Sequence, residues 1–237
     1  MNSLLARLLG GGTQLSVGVL TADLLQLGNE LALLERAGIP FVHVDVMDGR
    51  FCPQLTVGPS FVRAIPDRFV KDVHLMVDEP LGKVEDFIAA GAELVTFHTE
   101  AEAHPHRVLQ SLSGRGIIRG VALNPGTPLS VVEPLLDELE LLLVLAVNPG
   151  WSGQTFLPST ERRMEEAREL IGHRQIALAV DGGVTRSNVA HVASLGPDLV
   201  VTGSAVFDGG DVSENLRIML AALAAAGRPQ AAVPERS

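Results

Sequence analysis

Short runs of Val, Leu and Ile recur along the chain roughly every 25 residues, each followed by a polar or glycine-containing turn and then by apolar positions at helical spacing. The pattern predicts a repeated strand–helix unit. Eight runs read as strands: Gln14 to Leu20, Phe41 to Val46, Val70 to Val77, Leu94 to His98, Arg119 to Leu123, Leu141 to Val147, Gln175 to Val180 and Leu199 to Thr202. They are almost continuously apolar rather than alternating, as strands of a parallel sheet covered on both faces are. Between them, Leu24, Leu27, Leu31 and Leu34 lie on one helical face, with Thr21 or Asp23 as the N-cap. Asp78 ahead of Pro80 repeats that start signal. Three helix exits, Ala37-Gly38-Ile39-Pro40, Ala90-Gly91-Ala92-Glu93 and Leu195-Gly196-Pro197-Asp198, place a glycine where the chain turns left-handed before the next strand. Eight such units predict an α/β fold of the (β/α)8 TIM-barrel type, with a doubly wound open sheet as the alternative.

Composition narrows the class. In 237 residues, 46% are hydrophobic and 19% charged, enough to bury a large core in one domain spanning residues 1–237. Residues 1–13 then form an N-terminal extension and 224–237 a flexible tail. A net charge of -10 argues against nucleic acid and anionic membranes as general partners, since both would be repelled. The single cysteine, Cys52, excludes an intrachain disulfide and a zinc–thiolate cluster. No stretch reads as a membrane span, and Leu4-Leu5-Ala6-Arg7-Leu8-Leu9 lacks the order of a secretory signal, so a cytoplasmic protein is expected.

Polar residues stand out at the ends of the apolar runs. His43 and Asp45 are two apart in a strand and therefore share a face, where an imidazole and a carboxylate converge as ligands of one metal ion would. His74, His98, Asn124, Asn148 and Asp181 end later strands. In a barrel all of these positions gather at one mouth, the end at which such barrels carry out chemistry.

In this order the motifs are specific. Thr21-Ala22-Asp23-Leu24, His43 to Gly49, Phe51-Cys52-Pro53-Gln54-Leu55-Thr56, Asp72-Val73-His74-Leu75-Met76, Asn124-Pro125-Gly126-Thr127-Pro128, Val147 to Gln154, Val180-Asp181-Gly182-Gly183 and Gly203-Ser204-Ala205 follow one another along the chain. Over about Val17 to Phe207 the sequence resembles the ribulose-phosphate 3-epimerases, members of the ribulose-phosphate-binding barrel group. The resemblance implies an isomerase of the pentose phosphate pathway that interconverts D-ribulose 5-phosphate and D-xylulose 5-phosphate through a cis-enediolate. It implies that His43, Asp45, His74 and Asp181 bind one divalent metal and that Asp45 and Asp181 transfer the protons. An all-N/O donor set suits Zn²⁺ first, and Fe²⁺, Mn²⁺ or Co²⁺ also fit. By the same resemblance Met47 and Met76 form an apolar floor under the sugar. Ser152, Gly153, Gly182, Gly183, Gly203 and Ser204 lie on the loops after strands six to eight, where barrels bind phosphate through backbone N–H groups. A small sugar phosphate is thus the expected partner, together with further copies of the chain in a homo-oligomer.

The chain departs from the family pattern at four places. The strand-one serine is Gly18, a methionine near the end of strand six is Leu145, the aromatic-Gly-Gly of the phosphate loop reads Trp151-Ser152-Gly153, and the histidine after the Asp-Gly turn is Arg50. None removes a proposed ligand or proton carrier. Gly18 and Leu145 keep open a hexulose or tetrulose phosphate as substrate, and a non-catalytic sugar-phosphate-binding relative. A metal-assisted barrel hydrolase ranks below these, because the first strand lacks a His-x-His pair.

Overall fold

Eight strands, all parallel, close on themselves in chain order: β1 (Gln14–Gly18), β2 (Phe41–Met47), β3 (Val70–Met76), β4 (Leu94–His98), β5 (Ile118–Leu123), β6 (Leu141–Leu145), β7 (Ala177–Asp181) and β8 (Leu199–Thr202). β8 pairs with β1, so the doubly wound alternative is excluded. The computed structural model describes residues 2–226. Helices α1 (Ser3–Gly10), α2 (Leu27–Arg36), α3 (Pro59–Ala64), α4 (Val84–Ala89), α5 (Pro105–Leu112), α6 (Ser159–Ile171), α7 (Val189–Ser194), α8 (Ser204–Phe207) and α9 (Val212–Ala226) occupy the connections. Between β5 and β6 the link is a 3-10 segment, Leu129–Leu135, because Pro134 inside it lacks the N–H that an α-helix needs.

Two apolar clusters hold the barrel. The larger lies between the outward faces of the strands and the helices, around Val42, Val73, Val95, Val121, Val180 and Val200. The smaller fills the inside: Phe41, Leu94, Ile118, Leu141, Ala177 and Leu199 close the amino end, joined by Leu5 and Leu8 of α1. The predicted N-terminal extension is therefore a helical plug. Its start is fixed by Asn2, whose side-chain oxygen accepts from Leu4 N–H while its amide donates to Gly116 O.

The interior is chemically lopsided. β1 to β4 point Ser16, His43, Asp45, Asp72, His74, Thr96 and His98 inward, whereas β5 to β7, apart from Asp181 at the end of β7, contribute small and aliphatic residues such as Gly120, Ala122, Leu143, Leu145 and Ala179. Gly120 has no room for a side chain, since a Cβ there would overlap Thr96 Oγ1. Small residues on one side give the buried polar groups their space on the other.

Several local expectations shift. β1 stops at Gly18 because Val19–Thr21 tighten into a 3-10 turn, and β7 starts at Ala177 rather than Gln175. Asp23 does cap, but it caps the short turn Leu24–Gln26, leaving Leu24 half exposed and outside the stripe that Leu31 and Leu34 bury. Asp78 is no helix cap; its carboxylate pairs with Arg50 at 3.0 Å, and Glu79 takes the cap position with φ 50°. Gly38, Gly91 and Gly196 all take positive φ at the helix exits. Of the predicted tail, 224–226 complete α9, and 227–237 lie outside the described residues.

Candidate active site and metal centre

Strand register assembles the centre. β2 and β3 pair His43 with Asp72 and Asp45 with His74, while Asp181 ends β7, three strands away around the barrel. Because these positions point inward, His43, Asp45, His74 and Asp181 meet, with one donor atom from each lying within 4.8 Å of every other. Asp45 Oδ1 is 3.2 Å from His43 Nε2 and 3.2 Å from His74 Nδ1. Asp181 Oδ2 is 3.9 Å and 3.6 Å from the same two nitrogens. Four donors bound at about 2 Å around one small cation stand roughly 3.3 Å apart, so the group fits a divalent ion. The histidines lie fully buried beneath, and the carboxylates, 28% and 16% exposed, reach toward solvent.

Both histidines and the backbone around Asp45 are held from behind. Asp72 Oδ2 accepts from His43 Nδ1 at 2.7 Å and from Ser16 Oγ at 2.7 Å. His74 Nε2 meets His98 Nε2 at 2.9 Å, and His98 Nδ1 lies 3.4 Å from Glu100 Oε2. Thr56 clasps the backbone around Asp45, donating to Asp45 O at 2.7 Å and accepting from Met47 N–H at 2.9 Å.

The electrostatics show a centre that attracts positive charge. Burial opposes a charge on His43, but Asp72 and Asp45 outweigh it and raise its pKa well above the ordinary value. For His74 burial is again opposed, here by Asp181 and Asp45, with a net rise. Burial would favour a neutral Asp45, yet His43 and His74 hold its pKa far below the carboxylate range. Burial pushes His98 down to about 4 despite Glu100, so this ring is neutral. Burial would raise Glu100, yet the His98 ring beside it and hydrogen bonds from the Thr127 hydroxyl and Asn124 N–H hold it down at about 2.

Above the centre opens a cavity of about 210 Å³. Asp45, Asp181, Met47 and Met76 line it with Ser152, Gly153, Gly182, Gly183, Gly203 and Ser204, so the positions predicted from the sequence meet around one space. Gly18 and Leu145 lie on the same wall. Arg50 instead turns outward, 77% exposed, to Asp78. The glycines are sterically required: a Cβ on Gly182 would overlap Val147, one on Gly183 would sit 2.5 Å from Phe156 N, and one on Gly203 would overlap Gly18 O. Gln154 ties its loop to itself through Asn148 O at 2.6 Å and Trp151 O at 3.0 Å. Asp72, Ser16, Thr56 and Glu100 were not singled out as site residues from the sequence. The signal for Asp72 was present, a carboxylate inside an apolar run and two residues before His74.

A closed (β/α)8 barrel with two histidines and two carboxylates gathered at the carboxyl ends of its strands, beneath a glycine-lined cavity, defines a barrel enzyme with a metal-competent centre. A model of the ribulose-phosphate 3 epimerase family matches residues 14–207, and the chain belongs to that family. It is similar to the chloroplastic ribulose-5-phosphate-3-epimerase of Arabidopsis thaliana, 41% identical over 209 residues covering 85% of this chain and 74% of that protein. The ribulose-phosphate 3-epimerase of Escherichia coli strain K12 is 40% identical over 211 residues, covering 87% and 94%. Among solved structures, 3-hexulose-6-phosphate synthase from Salmonella typhimurium shares the fold, with a TM-score of 0.63 at 18% identity over 91% of this chain and 99% of that one. The family is one of isomerases that interconvert ribulose 5-phosphate and xylulose 5-phosphate. Among the described residues no helix is long and apolar enough to cross a membrane.

Proposed function

We propose that the protein inverts carbon 3 of D-ribulose 5-phosphate, giving D-xylulose 5-phosphate, and that Asp45 and Asp181 carry the protons. The observation that supports this most is the convergence of those two carboxylates, from strands three places apart, on one space at the floor of the cavity. Inversion next to a carbonyl needs a base on one face of the carbon and an acid on the other. One aspartate removes the carbon 3 proton, leaving a planar cis-enediolate, and the other delivers its own proton to the opposite face. After one turnover the two have exchanged protonation states, and exchange with water resets them.

His43 through Nε2, His74 through Nδ1, Asp45 and Asp181 would hold one divalent cation, Zn²⁺ best matching the donors and Fe²⁺, Mn²⁺ or Co²⁺ being compatible. When bound, it supplies Lewis-acid stabilisation of the negative charge that develops on the substrate oxygens, worth several kcal/mol. Met47, Met76 and Leu145 present apolar surface beside the reacting carbon and keep water from it. Backbone N–H groups at Gly153, Gly183, Gly203 and Ser204 receive the phosphate, a device that needs no lysine in an acidic chain.

Gly18 and Leu145 support a second reading, another ketose phosphate, because both lie on the cavity wall and Gly18 leaves it wider and less polar there. The lone Cys52 suits a reducing cytoplasm. Exposed Leu25 and Leu55 are surfaces that self-association would cover. The test of the reaction is incubation of metal-loaded protein with D-ribulose 5-phosphate in deuterium oxide. Label at carbon 3 and formation of D-xylulose 5-phosphate are expected. No label there, with exchange into a hexulose or tetrulose phosphate, would transfer the assignment to that sugar.

A further inference from the structure

We infer that His98, backed by Glu100, is a positioning residue that fixes which ring nitrogen His74 turns toward the metal. The inference rests on the metal reading above and concerns residues that do not line the cavity.

His74 has two nitrogens, and only one can be a ligand. Nδ1 is the one beside Asp45 and Asp181, at 3.2 and 3.6 Å. Its lone pair is free only if the ring proton sits on Nε2. Nothing in an isolated imidazole enforces that choice.

His98 enforces it here. The two Nε2 atoms are 2.9 Å apart in a fully buried setting, so one carries a proton and the other accepts it. The ring centroids are 5.0 Å apart and the planes differ by 22°. A face-to-face stack would bring the centroids closer; this spacing with nearly coplanar rings is that of an in-line N–H···N bond. With the proton on His74 Nε2, His98 accepts through Nε2 and carries its own proton on Nδ1, which makes no hydrogen bond but has the Glu100 carboxylate as its nearby charge, Oε2 at 3.4 Å. Reversing the chain would turn a lone pair toward the carboxylate.

Glu100 is itself immobilised. It accepts from Asn124 N–H at 2.8 Å and from the Thr127 hydroxyl. The carbonyls of those two residues are gripped by the buried Arg163, at 3.0 and 2.7 Å. The tautomer of His74 is thus set by a line of groups running from α6 through the loop after β5 to the end of β4. The plain alternative is that His98 only fills volume between His74 and Phe51, whose ring lies 4.7 Å from its own.

The two roles separate in a pair of substitutions. His98→Leu keeps apolar bulk and removes the acceptor; His98→Gln restores an acceptor toward His74 and a donor toward Glu100. We expect Zn²⁺ affinity, measured by chelator competition, to fall about 10- to 100-fold in His98→Leu and to return to within a few fold of wild type in His98→Gln. Nitrogen-15 spectra of Zn²⁺-loaded wild-type protein should place protons on Nε2 of His74 and Nδ1 of His98, a readout that stands even if His98→Leu does not fold. Wild-type affinity in His98→Leu, a Gln variant as weak as the Leu variant, or a proton on Nδ1 of His74 would each overturn the assignment. A wild-type protein that takes up no metal would instead sink the metal reading, and this inference with it.

Discussion

Asp72 reaches from β3 across to His43 on β2, placing its Oδ2 2.7 Å from Nδ1, and thereby leaves Nε2 as the nitrogen that faces Asp45 and Asp181. With Asp72 only 2% exposed, this contact works without competition from water. Asp72→Asn keeps the shape but loses the charge that complements the imidazole. Metal affinity should drop by about tenfold or more, and equilibrium dialysis against Zn²⁺ measures it. Unchanged affinity would mean that His43 needs no partner to face inward.

Asp181→Asn removes one of the two proposed proton carriers without changing side-chain volume. Turnover should fall by at least about 100-fold, the lower end of what a positioned acid–base group contributes. The assay is deuterium incorporation at carbon 3 together with a far-ultraviolet spectrum to establish that the barrel persists. Near-normal epimerisation in a folded variant would refute the role given to Asp181.

Position 18 and position 203 face each other, yet they differ in what they tolerate. A Cβ on Gly18 meets nothing nearer than 3.6 Å, whereas one on Gly203 would overlap Gly18 O. Gly203→Ala should therefore lose about 1–3 kcal/mol in a denaturant titration. Gly18→Ser should fold as wild type, and its hydroxyl, added to the cavity wall, should lower KM by a few fold if it bonds the sugar. Loss of stability in Gly18→Ser would show that the space is needed by the backbone rather than by a ligand.

Leu8 is completely buried in the amino end of the barrel. Leu8→Ala should cost about 2–5 kcal/mol, as deletion of a buried leucine does, and lower the thermal midpoint. Because the helix that carries it sits at the end opposite the catalytic mouth, kcat at temperatures below the transition should stay the same. A changed kcat would reveal communication along the barrel axis.

The barrel was legible in the sequence because strands buried on both faces leave unbroken apolar runs, and because glycines such as Gly38, Gly91 and Gly196 mark where helices end. His43, Asp45, His74 and Asp181 were legible for the converse reason: a titratable residue stands out within or at the end of such a run. Asp72 carries the same signal, a carboxylate inside an apolar run; what one strand does not show is its partner, because His43 opposite Asp72 is a matter of register between two strands. Glu100 lies just beyond a strand end, where a carboxylate is unremarkable until the fold brings His98 beside it. The plug function of Leu5 and Leu8 was equally hidden, because a short amphipathic segment does not announce which surface it will cover.

That plug has a consequence for traffic. Among the described residues the amino end is filled by Leu5 and Leu8, and the cavity at the other end opens above His43 and His74, which lie buried beneath Asp45 and Asp181. If the proposed ion and sugar phosphate both enter by that mouth, loading should run ion first, with a bound sugar phosphate slowing the ion's departure. Chelator should strip the resting protein faster than protein saturated with substrate, so that in a cell short of metal the supply of sugar phosphate itself would guard the loaded state.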